Sequence, residues 1–361
     1  MFSSAADPLA ASPDTDTSLP HSDTYVYPEL QCTLHLIHNT EQVIVSLDKL
    51  RSFSVLAIDC EGVDLGSHAP TSSLSILHIS TGRNSDVFCF DIFTLGAEAF
   101  STTTLDGYSL KTLLESSDKR KLLWDLRSDA SALFYHFNIT LTNAYDIQVL
   151  DTASSFLKQV KFPYEKRREL RKIYGLGSTI DKMFFGDISD SEKFRLRAVK
   201  SEAKTLFSPE EGGSYKIWNM RPLRPLLLEY CCDTRYFFSL YNHYDKTIRA
   251  CLRFVSSGAY DTAQDALSRA HQRRIAHALS PDFDKSNREI MCRVDTNLLI
   301  DLCEIVKIHP DDMKVPNFDE LEGDPVVTAD GPLEDDSSTE TKGASVLEDT
   351  DSFGGSGAGS F

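Results

Sequence analysis

No two of the eight cysteines are spaced C-x-x-C; Cys32, Cys60, Cys89, Cys231, Cys232, Cys251, Cys292 and Cys303 are scattered along the 361 residues. That spacing argues against a paired-cysteine zinc site or redox motif. No apolar run approaches the ~18 residues of a membrane-spanning helix. The N-terminus, Met-Phe-Ser-Ser-Ala-Ala-Asp, has neither the basic nor the apolar stretch of a secretory leader. The sequence shows no internal repeat. These absences give the expectation of an intracellular protein, in nucleus or cytoplasm and not secreted, whose cysteines are small reduced core residues.

Positive charge is also scarce. Against 54 Asp and Glu stand 37 Lys and Arg, for a formal net charge of −17. The deficit is concentrated at the ends. Residues 310–361 hold 14 acidic and 2 basic side chains, and residues 1–27 hold 4 Asp with no Lys or Arg, leaving −1 on residues 28–309. A near-neutral centre can present a basic groove, so overall acidity does not exclude a polyanionic partner. Residues 1–27, rich in Ser, Asp, Pro and Ala, read as a disordered tail, as does the acidic, glycine-ending segment 311–361. The acidic end is either a solubilising segment or a competitor of nucleic acid for basic residues elsewhere in the chain.

Between the tails, strand and helix patterns alternate. Strands are expected at Thr33–Ile37, Val55–Cys60, Ser73–Ser80, Val87–Asp91, Lys121–Trp124 and Asn143–Tyr145. Helices are expected near Glu41–Leu50, Tyr108–Ser116 and Ser128–Phe137, and most of the chain from Ile147 to residue 309 reads as helical. Gly82-Arg83-Asn84 marks a hairpin turn. The pattern gives an α/β class, with a mixed sheet covered by helices on both faces.

The most informative stretch is Val55-Leu-Ala-Ile-Asp-Cys-Glu-Gly62. An apolar strand ends in two carboxylates spaced Asp-x-Glu, which alternation puts on one face. Such a pair repels itself and resists desolvation, and a divalent cation with oxygen ligands, magnesium or manganese, answers both problems. A strand running into a polar turn would look the same. Further on, Leu226, Tyr230, Phe237, Leu240 and Tyr241 fall at helical spacing, and Asp233 lies on that apolar stripe. A buried carboxylate has to be paired, protonated or metal-bound. Arg235, about 200° around a helix at ~100° per residue, is a poor local partner. In Trp124-Asp-Leu-Arg-Ser-Asp129, both Asp125 and Asp129 are candidates, and spacing does not choose between them.

Ile-Asp-Cys-Glu-Gly, Trp-Asp-Leu-Arg-Ser-Asp-Ala-Ser-Ala-Leu and Glu-Tyr-Cys-Cys-Asp-Thr-Arg-Tyr-Phe, in that order, resemble the three motifs of the DEDD 3′–5′ exonucleases. The resemblance covers about residues 30–245 and is nearest to the ribonuclease D-like members and the eukaryotic Egalitarian/EXD-type branch. It implies a ribonuclease H-like three-layer fold around a five-stranded mixed sheet. The implied domains are 28–245 for the exonuclease-like part and 246–310 for a helical extension. It also implies two divalent cations, Mg2+ or Mn2+, held by Asp59, Glu61, Asp129 (rather than Asp125) and Asp233. Asp59 would bridge them, and nucleoside 5′-monophosphates would leave the 3′ end of RNA or single-stranded DNA. The family carries a His five residues, or a Tyr four residues, before its last Asp. Here those positions are Leu228 and Glu229, and Tyr230 stands three residues before Asp233. Trp124 stands where many relatives have His or Asn. Tyr230 is the candidate for orienting the attacking water, or else the site is weakened. Because some relatives on that branch are catalytically silent RNA-binding adaptors, that is the competing function. An interaction protein acting through residues 246–309 is a third reading.

The expected partner is nucleic acid, RNA in preference to DNA. Residues 158–204 hold 13 Lys or Arg against 7 acidic residues, and Lys166, Arg167, Arg168, Arg171 and Lys172 form their densest run. Interleaved aromatics suit a nucleic-acid path. A solvated helix face or a nuclear-import signal would have the same composition.

Overall fold

The structure, a computed structural model, describes residues 23–161, 173, 175–182, 188–287, 291 and 293–308. Residues 1–22 and 311–361 of the expected tails lie outside them, as do Lys166, Arg167, Arg168, Arg171 and Lys172.

The chain begins with β1 (Thr24–Tyr27) and β2 (Cys32–Ile37), then α1 (Thr40–Leu50), β3 (Val55–Val63), β4 (Ser73–Ser80) and β5 (Val87–Asp91). Two one-turn helices, α2 (Ile92–Leu95) and α3 (Glu98–Ser101), lead to α4 (Leu110–Glu115), β6 (Arg120–Leu123), α5 (Arg127–Phe137) and β7 (Ala144–Asp146). The described residues that follow carry helices: α6 (Ile147–Lys161), α7 (Leu176–Lys182), α8 (Asp190–Phe207), α9 (Pro225–Tyr230), α10 (Tyr236–Leu252), α11 (Ala259–Ala278) and α12 (Thr296–Val306). Helix starts follow local chemistry. Asn39 accepts the Gln42 N–H at 2.9 Å to open α1, and Ser109 with Thr112 forms a capping box on α4.

The sheet has seven strands in the order β1-β2-β5-β4-β3-β6-β7, rather than five. All six segments read as strands enter it. The seventh, Thr24–Tyr27, pairs antiparallel with β2 and comes from the segment expected to be a disordered tail. Its alternating exposed and half-buried residues mark a one-sided edge strand, a weak pattern beside a Ser- and Asp-rich tail. The pairing is mixed: β3 runs antiparallel to β4 and parallel to β6, and β2 runs parallel to β5.

Alternation along β3 divides the core. Leu56, Ile58 and Cys60 face Val43 and Leu47 of α1, Leu113 of α4 and Leu133 of α5. Ala57, with Leu122 of β6, faces the other way, toward Leu150 and Phe156 of α6 and Phe237 and Leu240 of α10. Each large side chain so buried contributes ~1.5–3 kcal/mol. Leu267 of α11 and Leu298 and Leu302 of α12 belong to that second cluster, and the expected boundary at 245/246 falls inside α10. Among the described residues, no helix is long and apolar enough to cross a membrane.

Candidate metal centre

β3 carries the first two carboxylates. Its burial alternates through Asp59, Cys60 and Glu61, with Cys60 turned into the core and the two acids on the opposite, less covered face. The β3–β4 ladder shifts register between Glu61 and Gly62, a bulge of the kind that re-aims side chains. Only glycine fits at 62, because a Cβ there would stand 2.0 Å from the Ser73 carbonyl oxygen.

The structure separates Asp129 from Asp125. Asp129, in the first turn of α5, reaches back to β3 and accepts the Cys60 N–H at 3.1 Å, and it is 3% exposed. Asp125 sits in the left-handed region at φ 54°, a conformation Asp tolerates better than most residues. There it is bound by Arg127 through two hydrogen bonds of 2.6 and 2.8 Å.

Around Asp233 the expected continuous helix is broken. α9 ends at Tyr230, residues Cys231–Arg235 wind as a 3-10 turn, and α10 begins at Tyr236. A 3-10 turn advances ~120° per residue, so residues three apart eclipse. Winding therefore offsets the displacement of the tyrosine, and Tyr230 and Asp233 share a face. One side chain touches both: Lys200 of α8 puts Nζ 2.6 Å from Asp233 Oδ2 and 4.4 Å from the centre of the Tyr230 ring. Glu229, at the position where the family has its tyrosine, is turned onto Arg195 through hydrogen bonds of 2.7 and 2.6 Å. Arg235 donates to the carbonyls of Leu30, Gln31, Arg83 and Cys232, and so is not the partner of Asp233.

His78, on β4, was not foreseen. It is fully buried, with Nε2 3.3 Å from Asp59 Oδ2. Asp59, His78 and Asp233 each offer a ligand atom, all within 4.8 Å of one another. Among the described residues, Asp233 Oδ1 and His78 Nδ1 are buried without hydrogen-bond partners, and His78 Nε2 meets Asp59 only as a close ion pair outside good hydrogen-bond geometry.

Electrostatics tie the other two acids to this group. Burial, then the charges of Asp59 and Asp233, push the Glu61 carboxyl well above its usual value. Burial, then Asp59 and Asp125, do the same to Asp129. Burial alone would push His78 down, but Asp59 and then Asp233 outweigh it and hold the imidazole up. Carboxylates crowded beyond their counter-charges, with orphaned buried donor atoms, fit a divalent cation.

Within the described part of the basic segment, two residues of α8 turn their charge inward: Arg195 lies on Glu229 and Lys200 on Asp233. Gly212 and Gly213 close a tight turn in which the Gly213 N–H donates to the Ser208 carbonyl at 2.8 Å. Two residues escaped the sequence reading, His78 and Lys200. The available signal was a histidine inside the apolar strand Ile76-Leu-His-Ile79; Lys200 had none, being 33 residues from its partner.

Residues 34–170 match a family described as 3′–5′ exonuclease. The chain is 26% identical over 238 residues to the piRNA biogenesis protein EXD1 of Mus musculus, covering 65% of this chain and 37% of that protein. It is 24% identical over 226 residues to the Homo sapiens protein of the same name, covering 62% and 39%. The chain thus spans under two-fifths of the length of these curated relatives. Trypanosoma brucei RNase D in complex with GMP superposes with a TM-score of 0.54 at 18% identity, over 78% of this chain and 74% of that one. The same RNase D in complex with RNA U12 gives 0.52 at 20% identity, over 76% and 79%. At these identities the structural likeness speaks to the fold.

Proposed function

We propose that this chain, whose residues 34–170 match a 3′–5′ exonuclease family and whose fold is like that of RNase D, is a DEDD-type exonuclease that hydrolyses phosphodiester bonds at the 3′ ends of RNA. One observation carries the reading: motif carboxylates from β3 and from the turn before α10 converge, with a buried Asp233 oxygen that has no protein partner. Single-stranded DNA is the alternative substrate, and the products are nucleoside 5′-monophosphates.

In this reading Asp59, Glu61, Asp129 and Asp233 would hold two divalent cations. When bound, magnesium or manganese supplies hydroxide at neutral pH and stabilises the departing 3′ oxygen. The chain's own residues do the rest. The bulge at Glu61 and Gly62 sets the angle of Glu61 to Asp59. The Cys60 N–H holds Asp129 toward β3. Tyr230, which shares Lys200 with Asp233, would orient the attacking water through its hydroxyl. A phenol with an ordinary pKa near 10 positions a water better than it takes its proton.

A specific observation favours a second reading, a catalytically silent RNA-binding adaptor of the same fold. Lys200 already gives Asp233 a cationic partner, and Glu229 with Arg195 fills the position where the family has its tyrosine. Domain limits of 28–245 and 246–310 are retained as a proposal, with α10 shared between the two parts.

One assay separates the readings. Purified chain is incubated with 5′-labelled and 3′-labelled RNA, with Mg2+ or Mn2+, beside an Asp59→Ala control. Stepwise shortening from the 3′ end should fall by about 10³-fold in the variant, as expected when several kcal/mol of metal-based stabilisation is lost. Binding of the RNA without shortening, under both metals and at high protein concentration, defeats the hydrolytic reading in favour of the adaptor.

A further inference from the structure

His78 belongs to none of the three acidic motifs, yet the sheet delivers it to the site. β3 and β4 pair antiparallel with Asp59 directly opposite His78. Directly opposed residues project from the same face with Cβ atoms ~4.5–5.5 Å apart. The juxtaposition therefore follows from strand register rather than from one rotamer. An imidazole is costly to bury in this way: Nδ1 has no hydrogen-bond partner among the described residues, at ~1–3 kcal/mol for an unmet group, and Nε2 has only the carboxylate of Asp59 beside it, outside good hydrogen-bond geometry. Its Nε2 lies 3.3 Å from Asp59 Oδ2, and the ligand atoms of Asp59, His78 and Asp233 lie within 4.8 Å of one another. Ligands on opposite sides of a cation with ~2.1 Å bonds are ~4.2 Å apart, so closure asks for shifts of a few tenths of an ångström.

We propose that His78 is an imidazole ligand of the cation held by Asp59 and Asp233, making a mixed nitrogen–oxygen site that selects manganese over magnesium. Imidazole is above all a ligand of zinc, copper, iron and nickel, and carboxylates suit magnesium and manganese alike; of those two, manganese, a first-row transition ion, accepts a nitrogen ligand more readily than magnesium, which demands a tight oxygen octahedron. A single cation would use Nε2, Asp59 and the orphaned Oδ1 of Asp233 together; an ion pair between His78 and Asp59 would leave Asp233 Oδ1 unmet. The proposal rests on reading these carboxylates as cation ligands. It does not depend on hydrolysis.

The test is metal binding by the full chain after chelator treatment. Mn2+ is titrated while free Mn2+ is followed by continuous-wave EPR, and pulsed EPR looks for nitrogen coupled directly to the bound ion. The wild-type chain should show that coupling, altered by 15N-histidine labelling; this measurement needs no variant. His78→Gln should abolish the coupling and weaken Mn2+ on the order of tenfold, with Mg2+ affinity, read by competition, changed by less than about twofold. Mn2+ bound with dependence on Asp59 but without nitrogen coupling overturns the role of His78 and leaves the carboxylate reading intact. Mn2+ binding that is unchanged in Asp59→Ala overturns the carboxylate reading itself.

Discussion

Two buried acidic clusters lie close together in this protein, one at the end of β3 and one at the ends of β6 and β7, and they are built on opposite principles. In the second, two aspartates meet two arginines. Asp125 is gripped by Arg127, which also donates to the Met291 carbonyl at 2.6 Å. Asp146 accepts from the backbone N–H groups of Asp125, Leu126 and Gln148 at 3.1, 3.2 and 2.9 Å, and from Arg274 of α11. Burial pushes the Asp125 carboxyl up, but Arg127 and Arg274 outweigh it and hold the group below its usual value. In the first cluster, four acids have Lys200 and His78 beside them, Glu61 and Asp129 are pushed up, and a buried oxygen goes unmet. Burial is common to both. What distinguishes them is whether each lone pair already has a donor: a cluster with its donors in place ties elements together, and one short of donors is arranged for something that arrives later.

Breaking the saturated cluster should have the larger effect. Arg274→Ala leaves Asp146, fully buried, without its guanidinium and removes the charged one of the polar ties between α11 and the β7 end. A cost of about 3–5 kcal/mol is expected in urea unfolding. A cost below about 1 kcal/mol would mean that the network is not what joins α11 to the sheet.

pH should move the two clusters in opposite directions. His271 of α11 accepts the Asp146 N–H on Nδ1 at 3.2 Å, and burial, followed by Arg274 and Arg120, lowers it from 6.5 to about 3. The folded state refuses a proton that the unfolded chain takes, so this contribution is complete above the ordinary histidine value. It is lost as pH falls from there toward the folded value, by up to ~1.4 kcal/mol per pH unit. Glu61 and Asp129 have the reverse sign without metal: the folded state keeps protons that the unfolded chain has released. Their contribution is greatest below the ordinary carboxylate value near ~4 and falls as pH rises through their raised values. Unfolding free energies from pH 4.5 to 8, with and without saturating Mn2+, separate the two. The metal should flatten only the second dependence, and His271→Asn only the first. If metal leaves both slopes in place, the contrast between the clusters fails.

The smallest change expected is at Lys200. Lys200→Met removes the ammonium from Asp233, costing the metal-free protein ~1.5–3 kcal/mol, the range for a hydrogen bond to a charged group. Mn2+ affinity should rise several-fold, because the cation no longer displaces a lysine. Calorimetric titration of the variant that shows weaker Mn2+ binding would assign Lys200 a supporting role instead.

Much of this was legible in the chain because it depends on near neighbours. Asp59 and Glu61 share a face through strand alternation, and Asp233 was anomalous on an apolar stripe. Six of the seven strands follow from apolar runs between turn residues. β1 was hidden because an edge strand needs only one buried face, and its pattern is faint beside an Asp- and Ser-rich tail. The choice between Asp125 and Asp129 turned on Arg127 and on a left-handed residue, neither of which spacing reveals.

The sequence by itself determined the alternation of strands and helices and the three acidic motifs in order, since periodicity and local chemistry specify both. The tertiary structure alone decided that His78 stands opposite Asp59, that Lys200 reaches Asp233, and that a 3-10 turn joins Tyr230 to Asp233. Strand register and the meeting of residues 33 apart arise only when the sheet and α8 pack together. The tighter winding of Cys231–Arg235, where the pattern reads as one continuous helix, likewise appears only in the folded chain. The carboxylates could be read from the chain, whereas the groups that set their charge balance depended on long-range packing.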